Sequence, residues 1–203
     1  MLKRSVIVLV LLTLLSSCSS LPDNPHNICD IFRQNRSWYD AAMDMNHKWG
    51  VPVQVPMAMM FQESSFRDDA KPPMDYFLGF IPIGRVSSAY GYAQAMDPAW
   101  EQYQRETGNY SGDRDDFADA IDFMGWYITK TNKINKVSKW NAYAQYLNYH
   151  EGWGGYKRGS YRNKAWLIKT AKRVQKRAET YGAQFRSCQE ELSHGWLWRL
   201  FFG

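Results

Sequence analysis

Pro56-Met57-Ala58-Met59-Met60-Phe61-Gln62-Glu63-Ser64-Ser65-Phe66 reads as an apolar helix that ends in one carboxylate flanked by hydroxyls. Proline suits a first helical turn, where its missing N–H is no loss, and Met57, Met60 and Phe61 share one face at helical spacing. Glu63 falls where such a core helix breaks into a loop, and burial there raises a carboxyl pKa. A carboxylic acid held protonated near neutral pH delivers a proton to a leaving group. Taken alone, a glutamate at a helix end most simply caps or solvates that end. The rest of the chain decides.

Upstream, Ser37 is placed to cap a helix over residues 38–49, which Gly50 and Pro52 close. Downstream, Pro72, Pro73, Gly79, Pro82 and Gly84 break any helix between residues 67 and 88. Within that stretch Met74, Tyr76, Phe77, Leu78, Phe80 and Ile81 form an apolar loop after the Glu63 helix. Such a loop either packs over the core or lines a cleft, and packing is the expectation. Asp97-Pro98 starts a helix running to Gly108, with the aspartate as cap and the proline in the first turn. Asp113 is expected to cap a helix over 116–132, with Phe117, Ile121, Met124 and Ile128 on one face. Ser138 begins another, carrying Trp140, Tyr143, Ala144 and Leu147. A last helix over 163–181 has Ala171, Val174 and Ala178 at helical intervals, and its Lys and Arg residues are most simply a solvated face. Strand-like alternation is nearly absent and no repeat is visible. The expected class is all-α, in a single domain of roughly 170 residues.

The chain opens Met1-Leu2-Lys3-Arg4, then an apolar run from Val6 to Leu15, then Ser16-Ser17-Cys18. A basic start, a short apolar core and small residues before the cut describe an export signal. The run is too short to span a bilayer, which takes about 20 apolar residues. Leu15-Ser16-Ser17-Cys18 resembles a bacterial lipobox, in which the cysteine is lipidated; the alternative is an ordinary signal with a chance cysteine. Ser19 and Ser20 follow, with no aspartate beside the cysteine, and in the Gram-negative lipoproteins this resembles, that pattern implies outer-membrane sorting facing the periplasm. The expected organisation is a signal over 1–17, a lipidated tether over 18–36 and a domain over 37–203. Removing Lys3 and Arg4 from the 25 basic residues leaves 23 against 20 acidic ones, a net +3. That suits an anionic wall polymer and argues against nucleic acid. Cys29 and Cys188, near the two ends, form a disulfide in an oxidising compartment or remain buried thiols.

Beside Glu63-Ser64 stand two further pieces, Gly91-Tyr92-Ala93-Gln94 and Asn148-Tyr149-His150-Glu151-Gly152. The trio resembles the soluble lytic transglycosylase catalytic domain, a goose-lysozyme-like fold. In that family a Glu-Ser pair ends a helix, a Gly-Leu-Met-Gln turn follows, and an Ala-Tyr-Asn-Ala-Gly segment comes later. The resemblance covers roughly residues 45–182 and implies roles position by position. Glu63 is the catalytic acid and base, and Ser64 bonds near the acid or the substrate's N-acetyl group. Gly91 permits a tight turn, with Tyr92 beside it, and Gln94 offers an amide to Glu63 or to sugar hydroxyls. Tyr149 is the family tyrosine near the cleavage point, and Gly152 is the closing glycine. Tyr92 and Ala93 replace Leu and Met, a change of packing. His150 and Glu151 replace Asn and Ala, which sets titratable groups beside the cleft.

The resemblance implies peptidoglycan glycan strands as substrate and a reaction that needs neither metal nor cofactor. One glutamate suffices where the substrate's own acetamide replaces the second carboxylate that most glycosidases use. A lysozyme-type hydrolase on the same fold, with Asp75, Asp97 or Glu151 positioning water, is the first rival. An inactive wall-binding envelope lipoprotein is the second. Tyr90, Tyr92, Trp126, Tyr146, Tyr149, Trp153 and Tyr156 offer faces for sugars, although at 16% aromatic content most rings must be core. His150 lacks the paired His or Cys spacing of a metal site. The tail Trp196-Leu197-Trp198-Arg199-Leu200-Phe201-Phe202 is expected to pack on the domain or meet an envelope protein partner, or else to dip into the membrane interface.

Overall fold

The computed structural model describes residues 21–78 and 80–194. Cys18 and the apolar tail at 196–202 lie outside them. Among the described residues there are seven α-helices: α1 Ile28–Gln34, α2 Arg36–Trp49, α3 Gln54–Ser64, α4 Asp97–Thr107, α5 Phe117–Asn135, α6 Ala142–Arg158 and α7 Ala165–Ser193. A 3₁₀ turn, Ser160–Asn163, joins the last two. The class is all-α and lysozyme-like. None of these helices is long and apolar enough to cross a membrane.

α3 is the axis. Val55 to Met60 are buried all round, so this helix sits inside the molecule rather than on its surface. It packs along α7 and touches α5 and α6. Around its end, rings fill the core: Trp38 of α2 stacks flat on Phe117 of α5 at 4.1 Å, and Tyr92 meets both edge-on. Burying rings of this size is the main source of stability in such a core, at about 25 cal/mol per Å² of apolar surface.

Neither Ser37 nor Asp97 is the cap expected of it: α2 starts behind Asn35 and α4 behind Met96, both without a side-chain cap bond, while two other helix starts are capped near the expected positions. α5 is capped by Asp116, whose side chain accepts from the Asp119 amide at 3.0 Å. Asp113 instead donates its own amide to Asp119 Oδ2 at 3.0 Å. Asn141, not Ser138, caps α6 by accepting from the Ala144 amide at 2.9 Å. α7 runs on to Ser193, because Tyr181, Phe185, Cys188 and Leu192 continue its buried face.

Two expectations are corrected. The apolar segment is a two-stranded antiparallel hairpin, β1 Met74–Phe77 and β2 Ile81–Arg85, with an irregular register between Asp75 and Tyr76. It does not pack over the core, since Leu78, Phe80 and Ile83 are 70%, 71% and 66% exposed. Proline and glycine break helices, but the aromatic and branched residues between them pair well as strands.

The tether expected through residue 36 is also too long. Ile28, Cys29, Ile31 and Phe32 bury one face of α1, and Phe32 sits edge-on against Tyr39 and Phe185. α1 is therefore part of the domain. Cys29 and Cys188 are joined as a disulfide that ties α1 to α7 across 159 positions. Gln184 adds an acceptor for the Ile28 amide at 3.1 Å, and Arg33 forks onto Glu191 at 3.0 and 2.6 Å.

Replacing both cysteines by alanine removes a constraint on a long loop and should cost about 2–5 kcal/mol. Urea unfolding of the oxidised wild type and the double variant measures this. Equal midpoints would show that packing alone holds α1.

Candidate active site

Glu63 occupies the last turn of α3, just before the chain turns sharply. Ser65 and Phe66 both have positive φ, 55° and 63°, an unusual state for residues with a side chain. Burial of the Phe66 ring against Trp38 and Phe61 holds that conformation. The half-buried Glu63 thus stands at a forced helix end. Desolvation pushes its carboxyl up to about 7, against an opposing pull from the Tyr146 hydroxyl, which donates to it. The Tyr149 hydroxyl is close enough to feel the same carboxylate. Tyr146 and Tyr149 are three residues apart and therefore share a face of α6.

The second piece, residues 91–94, is a tight turn. Gly91 has φ +73°, and a Cβ there would stand 1.9 Å from the Arg114 carbonyl oxygen. Only glycine fits. Three consecutive carbonyls of this turn are each engaged by a side chain. The Gln94 amide donates to the Gly91 carbonyl at 2.9 Å, and also to that of Ala70 at 2.8 Å. Ser64 donates to the Tyr92 carbonyl at 2.7 Å, and Tyr149 to that of Ala93 at 2.6 Å. Arg114 supports the other side, donating to the Ser88 and Ala95 carbonyls at 3.0 and 2.8 Å and pairing with Asp97 at 2.8 Å.

The third piece lies in α6, which is broken at Gly152, where φ 69° and ψ 162° form a pair open essentially to glycine alone. Asn135 donates to the Asn148 side chain at 2.7 Å and to the Trp153 carbonyl at 3.0 Å, so both flanks of the break are held. Past the break, Trp153 lies over Tyr127 at 4.8 Å and donates to Thr131 at 2.9 Å. Glu151 is 4% exposed. Burial alone would raise its carboxyl, but bonds from Lys164, Ser160 and His150 outweigh it and hold it at about 2. Lys164 stands at 2.7 Å and His150 at 3.0 Å.

The structure therefore brings Glu63, Ser64, Gly91, Gln94 and Tyr149 together. Ser64 is buried and spends its hydroxyl on the Tyr92 carbonyl, so it ties the acid's helix to the turn. Tyr92 as a substrate contact is corrected: it is 2% exposed, its ring locked among Trp38 and Phe117. Trp126 is likewise core. His150 and Gly152 instead line a groove of about 330 Å³ with Gln94, Gln102, Tyr149 and Trp153. His150 meets Trp166 edge-on at 5.1 Å. The sequence offers Tyr146 only as one of several sugar-facing rings and does not reveal its role as donor to Glu63. The available signal was its spacing from Tyr149, one helical turn away.

Among the described residues no cluster of His, Cys, Asp and Glu is arranged to hold a metal ion. No curated protein matches the chain. A family model described as a transglycosylase SLT domain matches residues 6–188. A helix-end acid, the turn it is tied to and the tyrosine helix behind it are thus carried by a chain that belongs to the transglycosylase SLT domain family.

Proposed function

We propose that this protein cleaves peptidoglycan strands as a lytic transglycosylase, with Glu63 as both acid and base. Membership of the SLT family gives a lytic-transglycosylase-type role on peptidoglycan. The observation that carries the finer reading is the desolvated Glu63 carboxyl, poised at about 7. At neutral pH it is protonated often enough to give a proton and ionised often enough to take one back.

Glu63 first protonates the oxygen between N-acetylmuramic acid and N-acetylglucosamine. The muramyl acetamide oxygen supports the developing positive charge, in place of a second carboxylate. Ionised Glu63 then accepts the proton of the muramyl C6 hydroxyl as that oxygen bonds to C1. The product is a 1,6-anhydro ring, and no water is consumed. Tyr146 steadies the carboxylate form, and the Gly91–Gln94 turn with Tyr149 shapes the wall of the groove.

The other carboxylates considered for a hydrolase are committed elsewhere or distant in kind. Glu151 is held by Lys164 and His150, Asp97 by Arg114, and Asp75 is exposed on the hairpin. This favours the single-glutamate reaction. The lipobox-like Leu15-Ser16-Ser17-Cys18 supports an acylated, outer-membrane-anchored protein that works on the wall from the periplasmic side.

Glu63→Gln should lower release of anhydro-muropeptides from purified sacculi by at least about 10²-fold, the lower range for general acid catalysis. Mass spectrometry of the products decides the reaction type: reducing muramyl ends in place of anhydro rings would overturn transglycosylation.

The rate should fall as pH rises through about 7, where the acid loses its proton. Tyr146 lowers the Glu63 pKa, so Tyr146→Phe should move that alkaline limb to higher pH. A limb that stays put or moves down would remove Tyr146 from this role.

Stability provides an independent reading. The folded pKa lies above the ordinary 4.5, so wild type loses stability as pH rises between about 4.5 and about 7. At about 1.4 kcal/mol per pKa unit the loss is at most about 3.5 kcal/mol. Glu63→Gln should therefore be more stable than wild type at pH 8 and nearly equal to it at pH 4, measured by chemical denaturation.

A further inference from the structure

From residue 164 to residue 178 the chain carries Lys164, Lys169, Lys172, Arg173, Lys176 and Arg177 and no acidic residue. The region after the signal has a net charge of only +3, so this run concentrates the molecule's positive charge. Lys164 is neutralised by Glu151 at 2.7 Å. Among the described residues, Lys172, Arg173, Lys176 and Arg177 have no carboxylate within 4.0 Å. They sit about two turns or more past the start of α7, beyond the reach of the helix dipole at either end. Neither pairing nor the dipole accounts for their placement.

Geometry gives Arg173, Lys176 and Arg177 a shared opening. A cavity of about 310 Å³ is lined by His26, Arg173, Lys176, Arg177, Thr180 and Tyr181. Its walls are held in place. The Arg177 guanidinium lies 3.5 Å over the Phe61 ring and meets His26 Nδ1 at 3.2 Å. Tyr181 donates its hydroxyl to the Pro25 carbonyl, which fixes the segment that carries His26. Arg173 donates to Thr170 at 2.9 Å, and its charge is felt by Tyr146, the donor to Glu63. Phe61 is two residues before Glu63 on the same helix. Residues two apart point to different sides of a helix, so the cavity reaches the acid's surroundings through Arg173 and Tyr146.

We propose that this cavity binds the carboxylates of the peptide stems carried by the muramyl residues, and so positions the strand over Glu63. The proposal rests on peptidoglycan being the substrate. Stem peptides branch from the same sugar whose bond is cut and bring several carboxylates, for which guanidinium forks are the matched donors. Cleavage would then favour peptide-bearing strands over bare glycan.

The test compares two substrates, strands with stems intact and strands stripped of stems by an amidase. Arg173→Gln/Lys176→Gln removes two exposed cations and leaves Arg177 on its Phe61 ring. The expected result is a KM raised about tenfold more on peptide-bearing strands than on bare ones. Arg173→Lys/Lys176→Arg should restore much of the affinity. Equal losses on both substrates, or no loss on either, would overturn the proposal. So would a variant that keeps its KM on peptide-bearing strands but no longer binds phosphatidylglycerol vesicles, since lipid phosphate would then be the anion. Cosedimentation of Glu63→Gln protein with sacculi, with and without stems, separates binding from catalysis. Should wild type cleave nothing while stem-dependent binding still needs Arg173 and Lys176, the cavity assignment stands and the catalytic reading falls.

Discussion

Three carbonyl groups in a row hold this site together. Those of Gly91, Tyr92 and Ala93 accept from Gln94, Ser64 and Tyr149, which come from the turn itself, from the acid's helix and from α6. Pieces 28 and 56 residues distant in the chain are thereby registered to within a hydrogen bond. The Ser64 bond is buried, and an unmade buried bond costs about 1–3 kcal/mol, so the arrangement resists partial opening. It also explains why the turn needs Gly91. Any side chain there would drive the turn off the Arg114 carbonyl and pull all three contacts out of register.

That registration sets the chemistry. A carboxylate at the C-terminal turn of a helix faces the negative end of the dipole, and α3 is apolar along its length, so nothing offsets the desolvation of Glu63 except the Tyr146 hydroxyl. The two tyrosines of α6 then divide the work. Tyr146 bonds the acid and Tyr149 bonds the turn, and their one-turn spacing fixes the distance between acid and wall. The break at Gly152 follows immediately and lets Trp153 turn onto Tyr127 instead of continuing the helix.

Much of this was legible in the chain because it rests on local rules. The all-α class and the buried methionine helix follow from periodicity, whereas the turn glycine and the three motif pieces were legible only through their resemblance to the transglycosylase family. What stayed hidden depended on partners far away in sequence. Ile28 and Phe32 look like a few apolar residues in a short polar leader until Phe185 is known to face them. The hairpin was hidden by its prolines and glycines, which signal the end of a helix without revealing that the residues between them pair. Ser64 and Tyr92 have the residue types of a substrate site, and only burial reveals one as a tie and the other as core. Glu151 is similar: a titratable group beside a groove, spent on Lys164, Ser160 and His150 to hold α6 against the 3₁₀ turn and α7.

The charge of α7 has to satisfy two demands at once. On the proposal that the substrate is a carboxylate-bearing strand cut at Glu63, cations are wanted near the cut, yet a cation within about 4–6 Å of Glu63 would lower its pKa by one to three units and strip its proton at neutral pH. The arrangement meets both. Lys164 is cancelled by Glu151, and Arg177 is turned onto Phe61 and His26. Arg173 acts on the Tyr146 hydroxyl, while Glu63 itself answers to burial first and to Tyr146 second. Successive basic turns of α7 are about 6 Å apart, so a cation can be set back from the acid by one turn and still reach a substituent of the bound sugar. Attraction for an anionic polymer and a protonated acid are compatible only with such an offset. α7 packs along the acid's own helix and so can provide it.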